Sequence, residues 1–233
     1  MRRVLLILTC IILPLIIIGC GAGKSVAKTQ QTIAIPEKPK YSTTSIKQDI
    51  SCKILDTTIL FLPSNAKILK SIPTQNVANG VALIAEINND QDKKFNPLKT
   101  LNVLVGFEKD PALLSINSGN EEKTLDTIFN NYWKSMENTA KVATNHKIIS
   151  KDILKNIHNH KYLRVIYTSS SPNKPNREIT NCVGFYVFGD TLFMISLDTF
   201  SNNIHDYSNT ISDILYSFSE EENGNEPIPW LKK

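Results

Sequence analysis

One stretch near the middle of the chain limits its fold more than any other. Between Lys123 and Val142, the residues Leu125, Ile128, Phe129, Tyr132, Trp133, Met136 and Ala140 follow one another at spacings of 3, 1, 3, 1, 3 and 4. On a helix of 3.6 residues per turn this puts every large apolar side chain on a single stripe and leaves the opposite side polar. Such a helix must lay its stripe on another apolar surface, and the runs on either side of it have the character of strands.

Lys53 to Asp56 and Thr58 to Leu62 are short and β-rich, the second stopped by Pro63-Ser64-Asn65. Val81 to Ile87 and Leu101 to Phe107 are longer apolar runs bounded by Asn-Gly, Asn-Asn-Asp and Asn-Pro turn signals. After the helix come Lys147 to Leu154, Lys161 to Thr168, Ile179 to Phe188 and Thr191 to Leu197. Gly189-Asp190 joins the last two, and a Gly-X pair suits a two-residue type II′ hairpin turn. Phe185, Tyr186, Phe188, Phe193 and Met194 supply large side chains to both faces of that hairpin, which places it near the sheet centre. A second helix is expected from Ile204 to Phe218, with the stripe Tyr207, Ile211, Ile214, Leu215 and Phe218 and with Asn202 or Asn203 as its cap. Strands, a helix, further strands and a closing helix define an α+β domain. Hairpin-length connections make its sheet antiparallel, and each one-striped helix must lie against a sheet face.

The two ends have a different character. Met1-Arg2-Arg3 is followed by an apolar run from Val4 to Ile18 that stops at Gly19-Cys20-Gly21. A basic patch, a short apolar run and a small-residue site are the parts of an export signal. About 15 apolar residues also fall short of the roughly 20 that span a bilayer. Ile17-Ile18-Gly19-Cys20 resembles the lipobox of bacterial lipoproteins, which implies cleavage after residue 19 and acylation of Cys20, a membrane-lipid anchor. From 20 to 48 the chain is rich in Lys, Thr, Ser, Gln and Pro and is expected to be a flexible tether. Such a tether gives a reach on the order of 30 Å. Residues 49–219 then form the domain, and residues 220–233 an acidic, Pro-containing disordered tail.

Loss of residues 1–19 leaves 24 basic and 22 acidic residues, a balance that argues against nucleic acid as a partner. Cys52 and Cys182 remain in a compartment that permits disulfides. They are candidates for one bridge, the alternative being two buried thiols. Gly21-Ala22-Gly23-Lys24-Ser25 ends like a phosphate-binding loop, but position 18 is Ile where that motif needs Gly, and no strand precedes it.

The search for chemistry finds isolated groups. His158 and His160 lie in a polar turn with no Cys or carboxylate within five residues, so a third metal ligand would have to come from elsewhere. His146 and His205 stand alone near helix ends. Ser-x-x-Lys occurs at Ser25, Ser64 and Ser171, none of which clearly begins a predicted helix, where that nucleophile motif works. Glu121-Glu122 and Glu220-Glu221-Glu222 look like solvated charge. Ser169 through Arg177 is expected to be a polar hairpin loop, and Tyr132 with Trp133 to be core. No catalytic residue, metal or cofactor emerges.

Thr58-Ile59-Leu60-Phe61-Leu62-Pro63-Ser64 resembles the strand-then-proline opening of PsbP-like domains. The long helix, the hairpin from Val187 to Phe193 and the closing Ile211 to Phe218 are similar to the rest of that plan. With a lipid signal in front, the chain looks nearest to the DcrB-type lipoproteins. The resemblance implies an antiparallel sheet of about six strands with helices on both faces, an α/β/α sandwich. It also implies a non-catalytic accessory or binding module, attached to a cell or outer membrane and working with an envelope protein partner. Gly21 after the lipid site, where Asp goes with inner-membrane retention in such proteins, favours an outer membrane. A lipid-anchored hydrolase with a site built from distant residues and a carrier of a small apolar ligand are the alternative expectations.

Overall fold

The computed structural model describes residues 34–36, 50–55, 57–71, 77–88, 99–116, 119–140, 145–171 and 174–220. Cys20, the rest of the expected signal and tether, and the tail beyond Glu220 lie outside them. Among the described residues, ten strands make two antiparallel sheets. Strands β1 (Ile50–Ile54), β2 (Thr58–Leu62) and β10 (Ser219–Glu220) form a small sheet in the order β1-β2-β10. The main sheet contains β3 (Ala66–Ser71), β4 (Asn79–Asn88), β5 (Thr100–Lys109), β6 (Asn145–Lys155), β7 (Lys161–Ser171), β8 (Lys174–Phe188) and β9 (Thr191–Phe200). Its order is β3-β4-β5-β9-β8-β7-β6, seven strands with β9 in the middle. Among the described residues the α-helices are α1 (Glu121–Ala140) and α2 (Ile204–Ser217).

Strand alternation sends side chains to two separate cores, one on each face of the main sheet. On one face Val103, Val105, Phe107, Phe193, Ile195, Leu197 and Tyr186 pack with Leu60 and Leu62 of the small sheet and with Ile211, Leu215 and Phe218. On the other, Leu125, Phe129, Tyr132 and Met136 of α1 meet Leu163, Val165, Tyr167, Val183, Phe185 and Met194. The stripe of α1 is thus buried as its spacing required, with Phe185 edge-on to both Phe129 and Tyr132. α2 seats deeply because β8 carries Gly184 beneath it. A Cβ there would lie 2.8 Å from Leu215 Cδ2 and 2.8 Å from Tyr186 Cε2. Tyr186 in turn donates its hydroxyl to the Leu215 carbonyl at 2.6 Å, tying helix to sheet.

The β8–β9 hairpin turns at Gly189 with φ of 57°, and Asp190 is not in the positive-φ region, as a type II′ turn requires. Several expectations need correction. β3, Ala66–Ser71, has no counterpart among the expected strands: it is an exposed edge strand in which Lys67 and Lys70 break the apolar pattern, the usual guard of an open edge. The expected loop from Ser169 is largely strand, with β7 running to Ser171 and β8 starting at Lys174. Asn203 stands at the N-cap of α2 without a side-chain capping bond, because a 3₁₀ turn over Ser201–Asn203 leads directly into the helix. The tether boundary also moves. Ile35, expected to be solvated, is 7% exposed and belongs to the α2-side core, so part of the segment from 20 to 48 is docked.

Candidate functional site

On the α1 side of the main sheet a polar row runs straight across the strands. Cross-strand pairing places Lys67 opposite Glu86, Glu86 opposite Asn102, Asn102 opposite Asp198, Asp198 opposite Asn181, and Asn181 opposite Tyr167. Glu86 alternates with core residues of its own strand, between Ala85 and Ile87, as Asn102 does between Leu101 and Val103. Among the described residues, α1 packs on β6, β7 and β8 and so covers Tyr167, while the β3–β5 end of the row is more exposed. Lys67 is exposed, Glu86 and Asn102 are half-buried, and Asn181, Asp198 and Tyr167 are buried.

Asn102 Nδ2 donates to Asp198 Oδ2 at 2.9 Å, and Asn181 Nδ2 donates to Ser169 Oγ at 3.1 Å. The Tyr132 and Tyr167 hydroxyls meet at 3.1 Å, and Trp133 and His146 stack edge-on around Tyr167. Burial pushes the Asp198 carboxyl up to about 6, with the amide of Asn102 holding it lower than burial alone would. Burial likewise raises Tyr132 to about 12 and Tyr167 well above its ordinary range, so both remain neutral hydroxyls. The row therefore offers amide and hydroxyl hydrogen-bonding groups, plus one carboxyl that changes charge near neutral pH. Perturbed acids of this sort mark candidate binding sites.

A second buried polar cluster lies on the opposite face. Arg164 of β7, 4% exposed, sits among the α2-side core residues and faces Asp152 across β6. Its Nη2 donates to Asp152 Oδ2 at 3.2 Å, while Nη1 donates to the carbonyls of Ile35 at 3.3 Å and Pro36 at 2.9 Å. Ser212 Oγ of α2 donates to the same Pro36 carbonyl at 2.9 Å.

Of the residues singled out in the sequence, His158 and His160 form a structural turn. Asn159 has φ of 62°, and the buried Asn156 accepts from the backbone N–H of His158 and of His160 at 3.0 and 2.9 Å. Asn156 Nδ2 donates to the Phe218 carbonyl at 2.8 Å, pinning the turn to the end of α2. His160 packs edge-on to Phe188. Among the described residues no group of three His, Cys, Asp or Glu comes together as a metal site.

Cys52 and Cys182 are both buried and both free, so the candidate bridge is absent from the structure. They sit on different sheets, Cys52 on β1 of the small one and Cys182 on β8 of the main one, where each packs as a small apolar group in the same core. Burial raises both thiols, Cys182 to about 12. Ser64 and Lys67 flank the start of β3, and Glu122, exposed as expected, pairs with Lys161 at 2.8 Å. Neither polar cluster was marked in the sequence. The available signal was a polar residue set inside an otherwise apolar run: Glu86, Asn102, Asn181 and Arg164.

No known-family model and no curated protein sequence matches the chain. Solved structures do. The solution structure of cyanobacterial PsbP (CyanoP) from Synechocystis sp. PCC 6803 superposes with a TM-score of 0.52 at 13% identity, covering 75% of this chain and 92% of that one. LpqN, described as involved in cell envelope biogenesis of Mycobacterium tuberculosis, gives 0.45 at 9% identity, covering 75% and 91%. The Ran-binding protein Mog1p of Saccharomyces cerevisiae gives 0.47 at 8%, covering 73% and 94%. The domain has a PsbP-like fold: an α+β sandwich around a large antiparallel sheet.

Proposed function

We propose that this chain is a lipoprotein of the DcrB type, held on the extracytoplasmic side of a membrane by acylated Cys20. Its PsbP-like domain serves there as a non-catalytic binding or accessory module of a cell-envelope assembly. One observation carries the reading: a basic start and an apolar run end at Ile17-Ile18-Gly19-Cys20, ahead of a packed domain. No helix among the described residues is long and apolar enough to cross a membrane. The polar row supports the binding part, since its more exposed end presents Lys67, Glu86 and Asn102 beside the buried Asp198.

The test is metabolic labelling with an alkyne fatty acid, followed by crosslinking in cells and mass spectrometry of captured proteins. Wild-type chain should label, fractionate with membranes and recover a reproducible envelope protein. Cys20→Ser should not label. Label retained by Cys20→Ser would refute the anchor, and the absence of any reproducible partner would refute the accessory role.

A further inference from the structure

The domain is expected to begin near residue 49, yet it is already gripped at Ile35 and Pro36. Three hydrogen bonds hold the two carbonyls there, two from Arg164 Nη1 and one from Ser212 Oγ. The Ile35 side chain is buried in the core that α2 shares with both sheets. Proline suits this place: it donates no N–H and prefers extended backbone, so Pro36 offers its carbonyl without an unmet donor. The grip is also mutual. A guanidinium buried this deeply is costly unless its donors are met. Asp152 takes one from Nη2 and the strap carbonyls take Nη1, while buried Nε has no partner among the described residues.

We infer that Ile35–Pro36 is a built-in strap, seated in a slot formed by Arg164, Asp152 and Ser212, and that it sets how far the domain stands from its anchor. This rests on the lipid-anchor reading only for the reach, not for the strap itself. With Cys20 acylated, only residues 21–34 lie between lipid and strap. A random coil of about 14 residues spans about 20 Å, and one of about 29 residues, the separation from lipid to β1, about 30 Å. The strap thus draws the Arg164 face toward the bilayer.

Spin labels at Ala34→Cys and Asn131→Cys, two exposed positions, report the strap in the mature full-length chain carrying Cys20→Ser. Pulsed dipolar spectroscopy should give one narrow distance. Ile35→Asp should broaden it severalfold while the circular dichroism of the domain stays unchanged. Ser212→Ala, a milder change that removes one donor, should broaden it partly. A wild-type distribution as broad as that of Ile35→Asp would overturn the strap. On vesicles the acylated chain carrying Ile35→Asp should move its domain outward by about 10 Å, read by energy transfer to a lipid dye. An unchanged distance would overturn the role in reach, and a chain that does not stay on vesicles would instead refute the anchor.

Discussion

Replacing Asp198 by Asn tests whether the polar row is kept at a cost to stability. The carboxyl is 6% exposed and receives a hydrogen bond from Asn102, so ionising it inside the sheet face is unfavourable. Its proton is released near 6 in the folded chain, against an ordinary 3.8. Folded protein therefore holds this proton more tightly than unfolded protein does. Well below pH 4 both states are protonated and the group favours neither. As pH rises past 6, the folded state comes to carry a disfavoured charge. The gap corresponds to about 3 kcal/mol at about 1.4 kcal/mol per pH unit. The amide of the Asp198→Asn variant has nearly the same shape, accepts the same bond from Asn102 and never ionises. Urea unfolding followed by tryptophan fluorescence should find variant and wild type nearly alike at pH 4, with the variant about 3 kcal/mol more stable at pH 7.5. With a slope of about 1–3 kcal/mol per molar urea, that is a midpoint shift of at least about 1 M. A gain equal at both pH values, or a loss at pH 7.5, would refute the reasoning. If the stabler protein also loses its crosslinked partner, the buried carboxyl is retained for binding.

Gly184→Ala should cost about 1–3 kcal/mol, because the new methyl group meets Leu215 and Tyr186 at 2.8 Å and α2 must lift; thermal unfolding measures it. Asn156→Ala removes the bond to Phe218 and both turn bonds at His158 and His160, and should cost about 2–3 kcal/mol in the same assay. In the mature chain carrying Cys20→Ser, intact mass without reductant should show two thiols: iodoacetamide should leave Cys52 and Cys182 untouched in native protein and alkylate both in urea. A mass two hydrogens light, with no alkylation, would establish a bridge instead.

Much of the fold was legible because local patterns carried it. The stripe from Leu125 to Met136 required a helix with one buried face, and alternating apolar runs joined by Gly189-Asp190 required a central hairpin. β3 was hidden because an exposed edge strand has little to bury, so Lys-Ile-Leu-Lys carries no clear alternation. The seating of Ile35 was hidden because it depends on a cation 129 residues away, and no local composition shows that.

The candidate site divides along the same line. By itself the sequence determined that Glu86, Asn102 and Asn181 would lie inside strands, since the apolar residues around them permit little else. Which of them would meet is a matter of register. Lys67, Glu86, Asn102, Asp198, Asn181 and Tyr167 come from six different strands and reach one row only because β5 and β9, distant in sequence, pair in the middle of the sheet. A slip of one residue in that central pairing would turn half the row into the opposite core. Local periodicity therefore chose the elements, while long-range pairing and burial decided which polar groups share a site, which carboxyl titrates near neutrality and where the N-terminal segment is held.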